Sequence, residues 1–206
     1  MHQTRQAASM KLPIERKGTK YIARATSHLH DSVPVVIAVR DMLKLAKTAR
    51  EVKKVILEKI LKINNRPVRD YRESIKLFNI FEADKSYMLS ILSTGKFFFD
   101  VPIKKELRIC KVANKRLIEG GKIQLNLHDG TNIISKDKVT IGDSLYLDFS
   151  GKIKSHVVFE KGAEVFVLIG KYRGQKGNIQ SIDENKVKIK FKEGEAVMDK
   201  NNAIVI

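Results

Sequence analysis

Cysteine is nearly absent from this sequence, which has one, Cys110, in 206 residues. A single thiol cannot close an internal disulfide or form a cysteine-based zinc cluster, so both stabilising devices are excluded. Cys110 lies in an alternating run with Leu107 and Ile109, and we therefore predict a buried or half-buried strand thiol. This cysteine usage fits a reducing, cytoplasmic location.

Long apolar runs are also lacking. No stretch approaches the roughly 20 apolar residues that a membrane-spanning helix needs. The first residues carry Arg5, Lys11, Arg16 and Lys17 without an apolar block, so no secretory signal is predicted. We expect no membrane partner.

Residue patterns that mark active sites are missing as well. No glycine-rich dinucleotide fingerprint follows a strand. His28, His30 and Asp31 form a group in a coil segment, where such groups are more often surface than metal ligands. His128 and Asp129 have no Ser or Cys motif that would complete a nucleophilic triad. We predict a protein that is not an enzyme, without a metal, a cofactor or a small-molecule substrate.

Positive charge is what the sequence has in excess, since 40 Lys and Arg face 23 Asp and Glu, for a formal net charge of +17. Residues 1–72 hold most of the excess, with 17 basic residues against 6 acidic ones. Such a surplus attracts polyanions, of which nucleic acid is the commonest. A soluble basic protein without such a partner fits this charge less well. The N-terminal third is therefore predicted to be the main anion-contacting surface.

Residues 1–31 show neither helical nor strand periodicity, and they contain only two acidic residues, Glu15 and Asp31. Their apolar content is too low for them to fold alone. They are either a disordered tail or an extended basic arm that becomes ordered along RNA, and we favour the arm. Its predicted RNA contacts are Arg5, Lys11, Arg16, Lys17, Lys20 and Arg24.

Two short helices and a tight hairpin are predicted next. Asp31 or Ser32 can cap a first helix that Pro34 opens, and Thr48-Ala49-Arg50-Glu51 is a capping box that begins a second helix. Asn64-Asn65 predicts the hairpin turn, because asparagine tolerates positive φ. Taken singly, each basic residue could simply lie on a solvated helix face. Taken together, the local excess of basic over acidic residues favours RNA binding. The predicted contacts are Arg40, Lys44, Lys47, Arg50, Lys53, Lys54, Asn64, Arg66 and Arg69.

From residue 61 onward the pattern predicts short strands separated by turns, including one strand over Ile75–Phe81 and a hairpin turn at Asp129-Gly130. In the last segment, which starts near Val158, closely spaced strands indicate a small barrel. The strand at 122–127 alternates and has a polar face. Lys122 and His128 on that face either contact RNA or are simply solvated.

The segment 170–177 combines three glycines with three basic residues and Tyr172. Glycines allow tight turns and close approach of a partner. Basic groups on such a loop suit phosphate contact, and an exposed Tyr172 can stack on a base. An ordinary glycine-rich hairpin would not need three basic residues. The predicted RNA contacts are Gly170, Lys171, Tyr172, Arg173, Gly174, Lys176 and Gly177.

Several segments closely resemble one family, the archaeal and eukaryotic small-subunit ribosomal protein S-four-e. They are LHDSVP at 29–34, VRDMLKLAKTARE at 39–51 and GKIQLNLHDG at 121–130. The glycine loop at 170–177 resembles the KOW motif of the same family. These matches follow one another in the right order along nearly the whole chain.

The resemblance implies a mostly β protein with a small α+β N-terminal module. Four parts are implied: a basic extended arm at 1–31, an S-four-type helix–helix–hairpin RNA-binding module at 32–102, a central β domain at 103–157 and an SH3-like KOW barrel at 158–206. It further implies a structural role in the small ribosomal subunit. The implied partners are small-subunit ribosomal RNA and neighbouring ribosomal proteins, and no homo-oligomer is expected.

The family's RNA-facing helices match this chain by position at Arg40, Lys47, Thr48, Arg50 and Lys54. The sequence departs from the family at Lys59, where glycine is usual. It also departs at Asn64-Asn65, where Asp-Gly is usual.

Three other functions compete with this interpretation. A non-ribosomal KOW-containing factor usually carries a further domain, which the N-terminal residues do not support. An RNA-modifying enzyme needs a large catalytic domain, and the region 73–206 is too short and too divided into small strands for one. A general DNA-binding protein would be distinguished by competition between duplex DNA and folded RNA.

Overall fold

The computed structural model describes residues 2–102, 106–135, 138–192 and 194–206. The chain divides into two compact units, Met1–Lys105 and Glu106–Ile206. Both are built mostly of short β-strands, which confirms the prediction of a mostly β protein.

In the N-terminal unit, two strand pairs accompany a larger sheet. Strand β1 (His2–Thr4) pairs antiparallel with β2 (Tyr21–Ala23), and β3 (Ser32–Pro34) pairs with β6 (Ser74–Lys76). The sheet contains β4 (Lys62–Ile63), β5 (Arg66–Pro67), β7 (Ile80–Glu82), β8 (Ser86–Ile91) and β9 (Phe97–Asp100). Its strand order is β5-β4-β7-β8-β9.

Two helical segments lie between β3 and β4 in the chain. The first is α1 (Val35–Ile37), which continues as a π-helical turn over Ala38–Met42. The second is α2 (Ala49–Leu57), whose start confirms the predicted capping box. Val52 and Ile56 are spaced four residues apart and are buried, so one stripe of α2 faces the core.

The first helix differs from its prediction in its start and its length. Neither Asp31 nor Ser32 caps it, because Ser32 belongs to β3 and its hydroxyl donates to the carbonyls of Ser27 and His28 at 2.9 Å each. Pairing of β3 with β6 takes precedence over the local helix signal. The helical segment ends at Met42, so residues 44–47 form a loop.

Residues 2–31 are folded back rather than extended, which corrects the predicted arm. Strands β1 and β2 pair, and Leu12, Ile22 and Ala25 are buried. The segment also joins the rest of its unit, since the Phe97 amide donates to the Lys11 carbonyl at 2.7 Å. Periodicity missed these elements because three-residue strands this far apart in sequence leave too short a pattern to detect.

The hairpin at Asn64-Asn65 is confirmed. Both asparagines have positive φ, at 51° and 64°, and Ile63 pairs with Arg66 across the turn. The predicted strand over Ile75–Phe81 is wrong as a single element, because it divides into β6 and β7. Phe78 lies between them with a φ of 59°, which an extended strand cannot contain.

The first sheet of the C-terminal unit contains β10 (Arg108–Ile118), β11 (Lys122–Leu127), β12 (Asn132–Ser135), β13 (Ser144–Leu147) and β14 (Ile153–Val157). Its order is β12-β11-β10-β13-β14. Cys110 is 1% exposed in the core with Val112, Leu125 and Leu145, so the predicted buried thiol is confirmed. Burial raises the pKa of this thiol well above its ordinary value, which makes it unreactive.

The second sheet contains β15 (Glu164–Val167), β16 (Lys176–Asp183), β17 (Lys186–Phe191), β18 (Gly194–Asp199) and β19 (Ala203–Val205). Its order is β18-β17-β16-β15-β19. Apolar residues on one face, among them Val165, Ile179, Ile189 and Val205, pack into a single core.

A buried lysine ties the two sheets of this unit together. Lys111 of β10 donates from Nζ to the carbonyls of Lys200, Asn201 and Ala203, at 2.8, 3.1 and 2.8 Å. Burial and the nearby Lys200 lower the pKa of Lys111 to about 8. Three carbonyl acceptors match the three hydrogens of an ammonium group, so these hydrogen bonds offset the cost of removing the charged group from water.

A buried carboxylate fixes the turn before β13. The Asp143 side chain is 1% exposed and accepts hydrogen bonds from the Thr140 hydroxyl, the Phe159 amide and His156 Nε2, at 2.6, 3.0 and 2.8 Å. Burial alone would raise the pKa of Asp143. The hydrogen bonds outweigh burial, so the pKa lies below the ordinary value.

The substitution Asp143→Asn should therefore destabilise the protein by about 1–3 kcal/mol at neutral pH, because an amide cannot accept all of these hydrogen bonds. The contribution of Asp143 is fully present above the unfolded carboxyl pKa of about 4 and is lost as pH falls through the lower folded value. Urea unfolding between pH 7 and pH 2 tests this. The wild-type protein should lose more stability than the variant below about pH 4. Asp183→Asn, at the exposed end of β16, is the control. Parallel pH profiles for wild type and Asp143→Asn would contradict the assignment.

Helix α2 ends with a left-handed residue that is not glycine. Lys59 has a φ of 59°, and its amide donates to the Ile56 carbonyl at 2.9 Å, while the Ile60 amide reaches the Val55 carbonyl at 3.4 Å. This pair of bonds is a Schellman motif, in which glycine is favoured at the left-handed position.

Lys59→Gly should consequently stabilise the protein by about 0.5–1 kcal/mol, because it relieves left-handed strain at a position that is not mid-helix. The measurement is the midpoint of thermal or urea unfolding in the absence of nucleic acid. Lys59→Ala removes the same charge but keeps the strain, and it should give no such gain. Equal midpoints for the Gly and Ala variants would show that the strain is negligible.

Candidate nucleic-acid interface

The outer face of α2 carries a group of cationic side chains. Arg50, Lys53 and Lys54 are exposed at spacings of three and four residues, which places them side by side on the helix. Leu57 lies on the same face and is 81% exposed. Within the described residues, Arg50 and Lys54 form no ion pair, so their charge is available to an anion.

An aromatic ring orients the third of these cations. Lys53 Nζ lies 4.7 Å from the centroid of Tyr71, and the guanidinium carbon of Arg72 lies 5.3 Å from it. Cation–π contacts of this kind hold a flexible cation in one direction. Sequence reasoning missed Tyr71, although its position beside Arg72 after the basic hairpin was a usable signal.

A second basic surface is a cleft of about 800 Å³ between the N-terminal segment and the first helical segment. It joins residues predicted separately for the arm and for the helix. Glu15 and Asp41 are the acidic residues in its lining. The basic ones are Arg5, Lys17, Arg40, Lys44 and Lys47.

The rim of this cleft is held in place by local bonds. Arg5 donates to the carbonyls of Glu15 and Thr19, at 2.6 and 2.8 Å, which closes the loop that carries Lys17. Arg40 forms a two-bond pair with Asp41, at 2.8 and 2.9 Å. Lys44 has a φ of 56°, an uncommon backbone state for lysine. Arg5 is thus mainly a clamp on the backbone, whereas Lys17, Lys44 and Lys47 are exposed.

Several predicted contact residues have partners within the protein. Lys11 pairs with Asp31, and Arg66 pairs with Glu73. The Asn64 side-chain oxygen accepts from the Ile80 amide at 3.0 Å, which anchors the hairpin. The predicted cations Arg16, Lys20 and Arg69 are exposed, and Arg24 is half-buried.

The strand pair β1–β2 presents an aromatic residue that sequence reasoning missed. Tyr21 is 50% exposed, and its ring centroid lies 4.5 Å from that of His2. Lys20 Nζ lies 5.4 Å from the same centroid. An exposed aromatic beside cations is able to stack on a base. Without the pairing of β1 and β2, His2 and Tyr21 could not be placed together.

In the C-terminal unit, the glycine loop is closed by its own hydrogen bonds, including one from the Gly174 amide to the Val167 carbonyl at 2.8 Å. Gly170 and Gly174 have positive φ, at 106° and 73°. A Cβ on Gly177 would lie 2.7 Å from both Ile189 Cγ2 and the Lys190 carbonyl, so only glycine fits there. The loop therefore projects Lys171 and Arg173 from a rigid base.

The expectation that Tyr172 is exposed is wrong. Its ring stacks on Phe191 with centroids 4.4 Å apart and an interplanar angle of 3°, and it packs against the core of the second sheet. Phe191 is buried, so it covers one face of the tyrosine ring. Lys176 is exposed at the other end of the loop, with its Nζ 4.0 Å from Glu164.

The polar face of β11 divides between exposed and structural positions. Lys122 is exposed. His128 is half-buried, and its Nδ1 accepts from the Lys111 amide at 3.1 Å, which fixes the tautomer with hydrogen on Nε2. The adjacent Asp129 is buried against Arg108.

Two kinds of feature are absent from the described residues. No helix in that part of the chain is long and apolar enough to cross a membrane. No three His, Cys, Asp or Glu side chains there are grouped in a way that could hold a metal ion.

Comparison with known proteins gives a consistent result. The model of the family described as Ribosomal family S4e matches residues 83–153. The chain is 34% identical to the small ribosomal subunit protein eS4 of Methanocella arvoryzae over 188 residues, which cover 88% of this chain and 80% of that protein. It is 32% identical to the eS4 protein of Archaeoglobus fulgidus over 187 residues, with the same two coverages.

A solved structure is also similar. The crystal structure of the 30S ribosomal protein S4e from Thermoplasma acidophilum superposes with a TM-score of 0.73 at 26% identity. The match covers 85% of this chain and 95% of that one. The similarity thus extends over most of both proteins.

Thr48 is matched by position to an RNA-facing residue, but in the structure it caps α2. Its hydroxyl accepts from the Glu51 amide at 3.3 Å and donates to the Glu51 carboxylate at 3.0 Å. Hydrogen bonds from the Lys47 amide and the Thr48 hydroxyl lower the pKa of Glu51.

Thr48→Ala should lower the free energy of unfolding by about 1 kcal/mol through loss of this cap. Chemical unfolding followed by circular dichroism measures the effect. Thr48→Ser, which keeps the hydroxyl, should retain most of the wild-type stability. A stable alanine variant would show that the cap contributes nothing.

Proposed function

The chain belongs to the ribosomal family S4e, and from this we propose that it binds small-subunit ribosomal RNA through the basic surfaces of its two units. It is a constituent of the small ribosomal subunit and not an enzyme. Its partners are ribosomal RNA and ribosomal proteins, and we propose that it acts in the cytoplasm within the assembled ribosome.

The division of the chain into modules is part of the proposal. We assign 1–31 to a folded basic lobe, 32–102 to an S-four-type RNA-binding module, 103–157 to a central β domain and 158–206 to an SH3-like KOW barrel. The helices and hairpin between β3 and β5 support the second assignment. The five strands β15–β19 around one core support the fourth.

The observation that carries RNA binding is the outer face of α2. Arg50, Lys53 and Lys54 stand together on a helix whose opposite stripe is buried, so their direction is fixed by the fold. Arginine and lysine in fixed positions neutralise phosphates and release counterions, which makes affinity fall steeply with salt. The cleft and the glycine loop add further contacts, and the shape of the folded RNA supplies specificity.

Co-sedimentation tests the proposal. Tagged protein in cell lysate should migrate on a sucrose gradient with the small subunit and the whole ribosome at moderate salt. It should be released when salt is raised, because the contacts are mainly with phosphates, or when magnesium is chelated, because the folded RNA loses its shape. Protein that stays at the top of the gradient would overturn the ribosomal role and favour a stand-alone RNA-binding factor.

The double variant Arg50→Glu and Lys54→Glu should lose most ribosome-bound protein while its circular dichroism spectrum stays unchanged, because both side chains are exposed. Lys85→Glu with Lys96→Glu is the matched control. It makes the same change in net charge at exposed positions in the turns before and after β8, and it should still sediment with the subunit. Equal loss by both variants would mean that net charge, and not the face of α2, carries binding.

A further inference from the structure

We propose that the cleft between the N-terminal lobe and the first helical segment holds a single unpaired nucleotide of the bound RNA, with its base inside and its phosphates at the rim. This inference rests on the proposed RNA-binding function and adds a ligand to one part of that surface.

The lining of the cleft includes apolar side chains as well as polar ones. The apolar residues of the lining are Pro13, Ile14, Ile22, Ile37 and Ala46. Ile22, Ile37 and Ala46 are buried, while Pro13 and Ile14 are half-buried and supply most of the apolar surface that a ligand could reach. A planar base removed from its stack needs an apolar surface of this kind, and phosphate alone does not.

The rim is cationic. Lys17 comes from the loop that Arg5 closes, and Lys44 and Lys47 come from the loop after the π-helical turn. All three are exposed, so an entering nucleotide would have lysines on both sides of its base. The volume of about 800 Å³ lies within the range of small-molecule sites and is large enough for one nucleotide. It is far too small for a duplex.

The backbone departs from regular geometry along the edge of the cleft that the first helical segment forms. The helix changes from α to π over Ala38–Met42, and Lys44 then adopts a φ of 56°. Such π-turns and left-handed non-glycine residues are costly and occur often at ligand sites. Here both features lie in the segment that carries Arg40 and Lys44, which line the cleft. The conformational cost of the π-helical turn and of Lys44 therefore falls where the binding of a ligand could offset it.

The test uses two short RNA duplexes, one fully paired and one with a single bulged 2-aminopurine. The full-length wild-type protein should bind the bulged RNA about tenfold more tightly, because one base gains an apolar contact that the paired duplex lacks. The 2-aminopurine fluorescence should change on binding, since its stacking partners change. Equal affinity for the two RNAs with unchanged fluorescence would overturn the nucleotide site.

A variant locates the effect. Ile14→Gln keeps the size and charge of the residue but makes this part of the lining polar, and it should remove the tenfold preference while leaving affinity for the paired duplex unchanged. Leu92→Gln, at an exposed apolar position in the turn after β8, is the matched control and should keep the preference. If Ile14→Gln weakens both RNAs equally, or keeps the preference, the base does not lie in this cleft.

Failure of the cleft and failure of RNA binding give different results. If only the cleft is wrong, both duplexes still bind with equal, salt-dependent affinity. If the proposed function is wrong, neither duplex binds in a salt-dependent manner and the protein does not sediment with the small subunit.

Discussion

Like charges repel, and a chain with 40 basic and 23 acidic side chains folds against that repulsion. The structure meets this constraint by the way in which it uses its carboxylates. Asp129 and Asp143 are buried and accept hydrogen bonds from neighbouring turns, and Asp31 and Glu73 tie down loops of the N-terminal unit. Because Asp129 and Asp143 are buried, their negative charges neutralise little of the exposed basic surface.

The same constraint explains why the basic surfaces are rigid. Flexible cations separate from one another when nothing neutralises them, and they must be brought together again on binding. In this protein Lys53 rests against Tyr71, and Arg5 holds the loop that carries Lys17. Much of the ordering is therefore complete before a polyanion arrives.

Local signals predicted the elements that depend on local bonds. The capping box at Thr48 and the turn at Asn64-Asn65 each involve residues within four positions of one another, and both are present. The signals failed where distant pairing decides the structure. Ser32 forms a strand because it pairs with Lys76, and residues 2–31 fold because β1 meets β2. The sequence identified the cationic residues one by one, but it could not predict that those of the N-terminal segment and of the first helical segment line the same cleft.

The position of Lys111 has a consequence for the order in which the C-terminal unit can form. Its three acceptors lie 89 to 92 residues further along the chain. During synthesis, β10 leaves the ribosome with this ammonium still hydrated, and only the arrival of residues 200–203 allows it to be enclosed. Contacts between such distant residues are slow to form because a long loop must close first. The two sheets therefore become one cooperative unit late, and a growing chain that stalls before residue 200 leaves the first sheet with a solvated cation where its neighbour should pack.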